Sequence, residues 1–525
     1  MATKKPIKKP VAAKKAPAKK AMEVTIKEAP LRKTKGRAKP VADDVEEAIE
    51  EAVGTKRKGK AGLDTTKFDV KSLYASTVDE VARKQDFDSD LLEDTPPMST
   101  GILMLDLIEG GGIRPAWYTH FGPEQSCKTT GALTIMAAAI QAEVPIIALA
   151  DYEGSTRNSR PYVGNILKTS GLKVSIKDVF GKKDPNTGKW LIEPLVRYRS
   201  ETLGEKFFDY MADLLRKLPD KKFIAGKWWL VFDDDKANKA KLGDHIVPSM
   251  AKKYGKGLWV EAPDGNLQAL VLVDSYPAMN PTANDDDDAN NSLALQARMF
   301  SKHLPRVKGR MAAKMVAVIG INQLRAVPMA MYGPKETEPG GVALKFNSDV
   351  RIQWTPIGSN LPFIPKFDAD DRLEHELSVT GSGKDRYRYI RMKAIKNKLW
   401  TPGRKGFVRL WVEDGTGEAR GFDPFFDTVM YLKETGQLKG SSSRKPFQLD
   451  LDGFGKAKKP VSWMTLKQWV LGTKEEKVKI CTTLGYKPLD LRKYCFKQMS
   501  TGKAEELFVA LRGSNTKIAD DEGDE

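Results

Sequence analysis

Three cysteines and four histidines in 525 residues leave little room for several chemistries. Cys127, Cys481 and Cys495 form no CxxC pair and no His cluster accompanies them, which excludes a disulfide scaffold and a zinc site and fits a reducing compartment. No apolar run approaches the ~20 residues that span a bilayer, and the Lys-rich start does not read as a secretory leader. The expectation is a cytoplasmic protein with no membrane partner. What is abundant is positive charge: 87 Lys and Arg against 69 Asp and Glu give +18, which favours a polyanionic partner. Residues 1–60 hold 18 basic and 8 acidic residues, so +10 of that excess sits in one tail.

The length suits two or three domains. Residues 1–64, Lys/Ala/Pro-rich, carry too little apolar surface to offset ordering entropy and are expected to form a disordered basic arm. Apolar residues from Phe68 to Ala82 recur at near-helical spacing, giving a short N-terminal helical segment over 65–97. From 98 to 425 strand-like and helix-like runs alternate. Ile146–Ala150, Ala269–Val273 and Met315–Ile321 have the short apolar character of buried parallel strands. The fold class is therefore α/β, with a mostly parallel sheet and helices on both faces. The Lys-, Trp- and Asp-rich stretch 164–264 reads as a large insertion. Beyond 425 the pattern turns helical, predicting a small C-terminal domain over 426–513. An acidic tail spans 514–525, and its like-charge end, Ala519–Glu525, should be disordered.

Gly122-Pro123-Glu124-Gln125-Ser126-Cys127-Lys128-Thr129-Thr130 follows the GxxxxGK[ST] pattern of a phosphate-binding turn. Such a turn works because successive backbone N–H groups surround a β-phosphate at a helix N-terminus, while Lys128 neutralises phosphate oxygens and the Thr129 hydroxyl ligates Mg2+. An apolar helix over Leu133–Ile140 supplies the right context. Cys127 departs from the pattern, which has glycine there. Its side chain is costly if φ must be positive, and its thiol, beside a lysine and a helix N-terminus, is expected to be acidified.

Two apolar strands end in acids. Asp274 follows Val271-Leu-Val and suits the water network of a Mg2+ ion. Asp151 and Glu153 follow Leu149-Ala, with Glu153 suited to orient an attacking water as general base. Gln323, flanked by Asn322 and Arg325, ends a third strand. An amide there can bind a γ-phosphate, lose that bond on hydrolysis, and so move the loop that follows.

Ser99-Thr-Gly101, the phosphate turn, Asp151 with Glu153, Val273-Asp-Ser275, Ala297-Arg298-Met299, Ile321-Asn-Gln-Leu-Arg325, Glu336, Gly340-Gly341 with Ala343 to Phe346, and Arg391 to Lys398 together resemble the bacterial-type RecA recombinases. The resemblance covers roughly 98–425 without the insertion. It implies a RecA-like P-loop ATPase core that uses ATP and Mg2+, forms a homo-oligomeric helical filament on single-stranded DNA and exchanges strands with double-stranded DNA. It also implies that Lys396 and Lys398 reach the γ-phosphate of a neighbouring subunit, and that the helical segment near 67–82 packs on the next subunit. Two DNA loops would span 282–293 and 325–340, with Arg298, Arg325, Met329, Met331, Tyr332, Gly340 and Gly341 at the DNA. A single-strand-binding protein or loader is an expected partner. The basic arm, the insertion and Cys127 mark the chain as divergent, in keeping with a phage-encoded member acting in its host's cytoplasm. A hydrolysis-poor architectural filament protein is the alternative, favoured by Cys127 and the arm.

Overall fold

The computed structural model describes residues 96–282, 292–326, 336–357, 386–413, 421–440 and 446–519, all within a unit spanning 88–525. The basic arm, the segment near 67–82, most of the first DNA loop and Met329, Met331 and Tyr332 lie outside the described residues.

Among the described residues nine strands form one sheet. In chain order they are β1 (Trp117–Gly122), β2 (Ile146–Asp151), β3 (Val196–Ser200), β4 (Ala269–Asp274), β5 (Val316–Gln323), β6 (Val350–Ile357), β7 (Arg386–Asn397), β8 (Lys405–Glu413) and β9 (Gly421–Phe422). The spatial order is β9-β8-β7-β6-β1-β5-β4-β2-β3. The pairs from β6 through β3 are parallel, and the β6–β7, β7–β8 and β8–β9 pairs are antiparallel. The parallel strands read as near-continuous apolar runs because both faces are covered. Every residue of β1 and β4 is buried.

Two cores lie on the two faces. One gathers helix α1 (Lys128–Gln141) with Leu133, Ile135 and Met136, and helix α2 (Arg160–Thr169) with Val163, Ile166 and Leu167. The other gathers Phe207 and Phe208 of α4 (Gly204–Lys217) with Met299 and Phe300 of α5 (Ser292–Met311). Between α2 and α4 lies the short helix α3 (Ile176–Phe180). Burying the large apolar side chains of both faces, at about 1.5–3 kcal/mol apiece, is what holds the layers against chain entropy.

The stretch 164–264 is not one insertion. Strand β3 extends the main sheet beside β2 and α4 packs on α5, so 196–217 belongs to the core. Phe207, Phe208, Met211 and Leu215 make the apolar stripe of α4, which the surrounding charge hides in a composition-based reading. The added parts are a hairpin pairing Lys182–Lys183 with Trp190–Ile192 and an antiparallel sheet of Asp220–Ile224, Lys227–Phe232 and Leu258–Glu261. The latter has its own small cluster of Ile224, Trp229 and Trp259.

The C-terminal helices do not form a separately cored body either. Trp469, Cys495 and Phe508 join the core that holds α1. Asp427 accepts hydrogen bonds from Leu103 and Met104 N–H at 2.9 and 3.0 Å and pairs with Arg492 at 2.9 Å. The last helix runs Lys503–Ala519, so residues 514–519 of the expected tail are helical. Among the described residues no helix is long and apolar enough to cross a membrane.

Candidate nucleotide site

The phosphate turn joins β1 to α1 at the carboxyl end of the parallel strands, where ligands of open α/β sheets sit. Gly122 is required by a close approach: a Cβ there would stand 2.0 Å from the carbonyl oxygen of Trp354 on β6. Gln125 and Cys127 take left-handed conformations, φ 57° and 64°. The turn does need positive φ where the sequence supplies a thiol, at a cost of about 1–2 kcal/mol relative to glycine.

Lys128 is buried with its ammonium folded onto the turn, donating to the carbonyls of Gly122 (3.1 Å) and Pro123 (2.7 Å) and to Ser126 Oγ (2.8 Å). Burial lowers its pKa to about 8, while Asp274 pulls the other way. Asp274, buried at the end of β4, hydrogen-bonds Thr129; burial, and then Glu153, raise its carboxyl to about 7. A buried lysine satisfied only by neutral oxygens is arranged for an anion, since phosphate oxygens can replace those contacts. The cavity here holds about 380 Å3 and is lined by the turn, Glu153, Tyr162, Asp274, Gln323, Arg388 and Trp411. That donor set fits a nucleoside triphosphate. The Thr129 hydroxyl beside Asp274 fits a Mg2+ ion held by one side-chain oxygen, with the carboxylate acting through water.

Glu153 and Gln323 meet in this cavity. Gln323 Nε2 donates to Glu153 Oε1 at 3.2 Å, and Ser275 Oγ donates to the same oxygen. Two residues beyond Gln323, Arg325–Ala326 pairs antiparallel with Glu336–Thr337. Asn322 fixes the same region from below, donating to Pro339 O at 3.1 Å and to Glu338 at 3.4 Å, while Arg351 pairs with Glu338.

Other expected residues lie elsewhere. Lys396 donates to the carbonyls of Lys345 and Phe346 (2.9 and 2.7 Å) at the C-terminal turn of helix α6 (Gly341–Asn347). Neither it nor Lys398 lines the cavity. Arg298 on α5 and Arg325 are exposed, and Gly340 and Gly341 pack tightly at the start of α6 against Phe300 and Ala297.

Two features escaped sequence reading. Arg388 of β7 donates to Gln125 O at 2.7 Å and hydrogen-bonds Cys127. Glu338 anchors Asn322 and Arg351. Both depend on pairings across more than ten residues that no local pattern announces. The thiol of Cys127 corrects an expectation: burial pushes it up to about 11, outweighing Arg388 and Lys128.

Comparison with known proteins finds partial matches. Residues 264–416 match the RecA N-terminal domain family. A protein RecA of Borrelia hermsii is 32% identical over 213 residues, 36% of this chain and 54% of that protein. A protein RecA of Streptococcus agalactiae is 33% identical over 195 residues, 35% of this chain and 47% of that protein. The chain thus spans about half the length of the curated relatives it matches. A crystal structure of the RadB recombinase aligns with 62% of the chain at 15% identity, with a TM-score of 0.32 that is too low to bear on the fold. Over the matched span the chain is similar to RecA proteins at about one residue in three.

Proposed function

We propose that this chain is an ATP-dependent recombinase that assembles as a helical filament on single-stranded DNA, pairs it with homologous duplex and exchanges strands in recombination and repair. The observation that carries the reading is the hydrogen bond from Gln323 to Glu153, with the 325–337 ladder starting two residues beyond Gln323. A group at the γ-phosphate position can therefore change the partner of Gln323 and, through it, the base of the second DNA loop. Glu153 orients water for attack. Lys128 and the backbone N–H groups of 125–129 hold the phosphates, and Thr129 with Asp274 would hold a Mg2+ ion that would supply further neutralisation of phosphate charge. Lys396 and Lys398, outside their own cavity, act on the nucleotide of the adjacent subunit, where removal of one such donor costs ~10^2–10^3 in rate. Arg298, Arg325, Gly340, Gly341 and the Met329, Met331 and Tyr332 side chains meet the DNA. The filament works in the cytoplasm, with a single-strand-binding protein or loader as partner.

The test is ATP-dependent exchange between a circular single strand and homologous linear duplex. Product is expected with the wild type and none with Lys128→Ala. The second reading, an architectural filament protein with little hydrolysis, is favoured by the strained Cys127. It predicts DNA coating that survives Lys128→Ala and is lost when residues 1–64 are removed.

A further inference from the structure

A second cavity, of about 300 Å3, lies between the short helix Ser155–Asn158, the start of α2, α3 and the outer strand β3. Among the described residues four cations line it, Arg157, Arg160, Lys177 and Arg197, and no carboxylate does. All four are exposed. Among the described residues the acid paired with them is Glu193, 3.2 Å from Arg197, and both partners are more than half exposed, so water screens that pair. Asp151, nearby, is engaged by Thr156 N–H and the Tyr198 hydroxyl, each at 3.0 Å.

Aromatic rings complete the cavity. Trp190, on the added 182–192 hairpin, keeps 38% of its surface exposed. It is seated by Gly181, whose φ of 75° brings it so close that a Cβ would stand 2.6 Å from the indole. Lys183 lies 4.6 Å from the ring centre. Phe180 and Tyr198, which also line the cavity, pack edge to face at 5.7 Å.

We propose that this cavity binds one nucleotide unit, with the phosphate on the four cations and the base against Trp190. Cations alone would suit any anion, and a ring alone any apolar group. Their alternation around a cavity the size of one base and sugar is the chemistry of single-stranded nucleic-acid binding. Because the cavity is built partly from the 182–192 hairpin, it is separate from the Lys128 cavity and from both expected DNA loops. The reading of the chain as a DNA-binding filament enters only in naming the source of the nucleotide, a strand rather than a free mononucleotide.

The test uses full-length protein and oligothymidine carrying 5-iododeoxyuridine, beside free 5-iodo-dUMP. Photocrosslinking is mapped by digestion, and affinity is followed against salt for wild type, Trp190→Ala and the double variant Arg160→Gln/Lys177→Gln. A cross-link within Trp190–Arg197 is expected, with roughly tenfold weaker binding in Trp190→Ala. The double variant should flatten the slope of log K against log salt by about 1.4. A cross-link made by the mononucleotide alone supports the cavity and assigns it a free nucleotide. If the wild type binds the oligonucleotide, cross-links only elsewhere and the variants match it, the cavity is overturned while the DNA-binding reading stands. If the variants change only self-association, the cavity is an interface between copies and the proposal falls. Binding of neither probe overturns both.

Discussion

The Gln323 amide reaches across from β5 to the Glu153 carboxylate beyond β2, 3.2 Å between Nε2 and Oε1, with strand β4 between them. The residue fitted to sense a phosphate and the residue fitted to activate water thus share one hydrogen bond. Whatever displaces one reorients the other.

Gln323→Ala should therefore uncouple the two ends of the site. ATP affinity is expected to change by no more than about tenfold, because the amide exchanges one charged acceptor, the Glu153 carboxylate, for another, a phosphate oxygen, and a net hydrogen bond is worth only ~0.5–1.5 kcal/mol. Stimulation of hydrolysis by single-stranded DNA should vanish. Equilibrium binding of a fluorescent ATP analogue, run beside turnover with and without DNA, checks this; retained stimulation would contradict it.

Titration of Asp274 gives a signed pH dependence. Its folded pKa, about 7, lies above the ordinary 3.8, so the folded chain binds the extra proton between those values. Its contribution favours folding below pH 4 and is lost as pH rises through 7. Asp274→Asn should raise the melting temperature of the nucleotide-free protein, by more at pH 8 than at pH 5. Lys128 acts oppositely at higher pH: its folded pKa near 8 lies below 10.5, so stability rises from pH 8 to 10.5 as the unfolded chain alone keeps the proton. Thermal scans across pH 5–10 separate the two.

Cys127 should be a sluggish thiol. With its pKa at about 11, roughly one part in a thousand is thiolate at pH 8. Alkylation by iodoacetamide is expected to be slower than for a free thiol and slower again with ATP bound, read by mass spectrometry of the Cys127 peptide. Fast labelling would show that the site is more open than its packing implies.

Gly122→Ala tests the close approach to Trp354. A Cβ 2.0 Å from a backbone oxygen forces β1 and β6 apart. The loss should be several kcal/mol, well beyond the ~1 kcal/mol of a typical substitution, measured by denaturant unfolding.

Much of this site was legible in advance because its chemistry is local. The Gly122–Thr130 turn, the strand-ending Asp274 and Glu153, and Gln323 are each read from a short run whose apolar flank fixes it at a strand's end. The 164–264 stretch misled because charge on the outer face of α4 masks Phe207, Phe208 and Met211, and because strand β3, Val-Arg-Tyr-Arg-Ser, is an edge with only one side buried. Arg388 and Glu338 were invisible for another reason. Their roles exist only once β7 and β6 are brought to the turn and to Asn322, and nothing in the residues beside them encodes those partners.

The central claim, a phosphate-sensing ATPase coupled to DNA, is tested most directly by ATP hydrolysis of purified protein with and without single-stranded DNA, wild type beside Glu153→Gln. The account predicts turnover stimulated by DNA in the wild type and, in Glu153→Gln, ATP-dependent DNA binding with turnover reduced ~10^2-fold or more, the scale of a lost general base. Wild-type DNA binding that is indifferent to ATP, or turnover unchanged by Glu153→Gln, would contradict it.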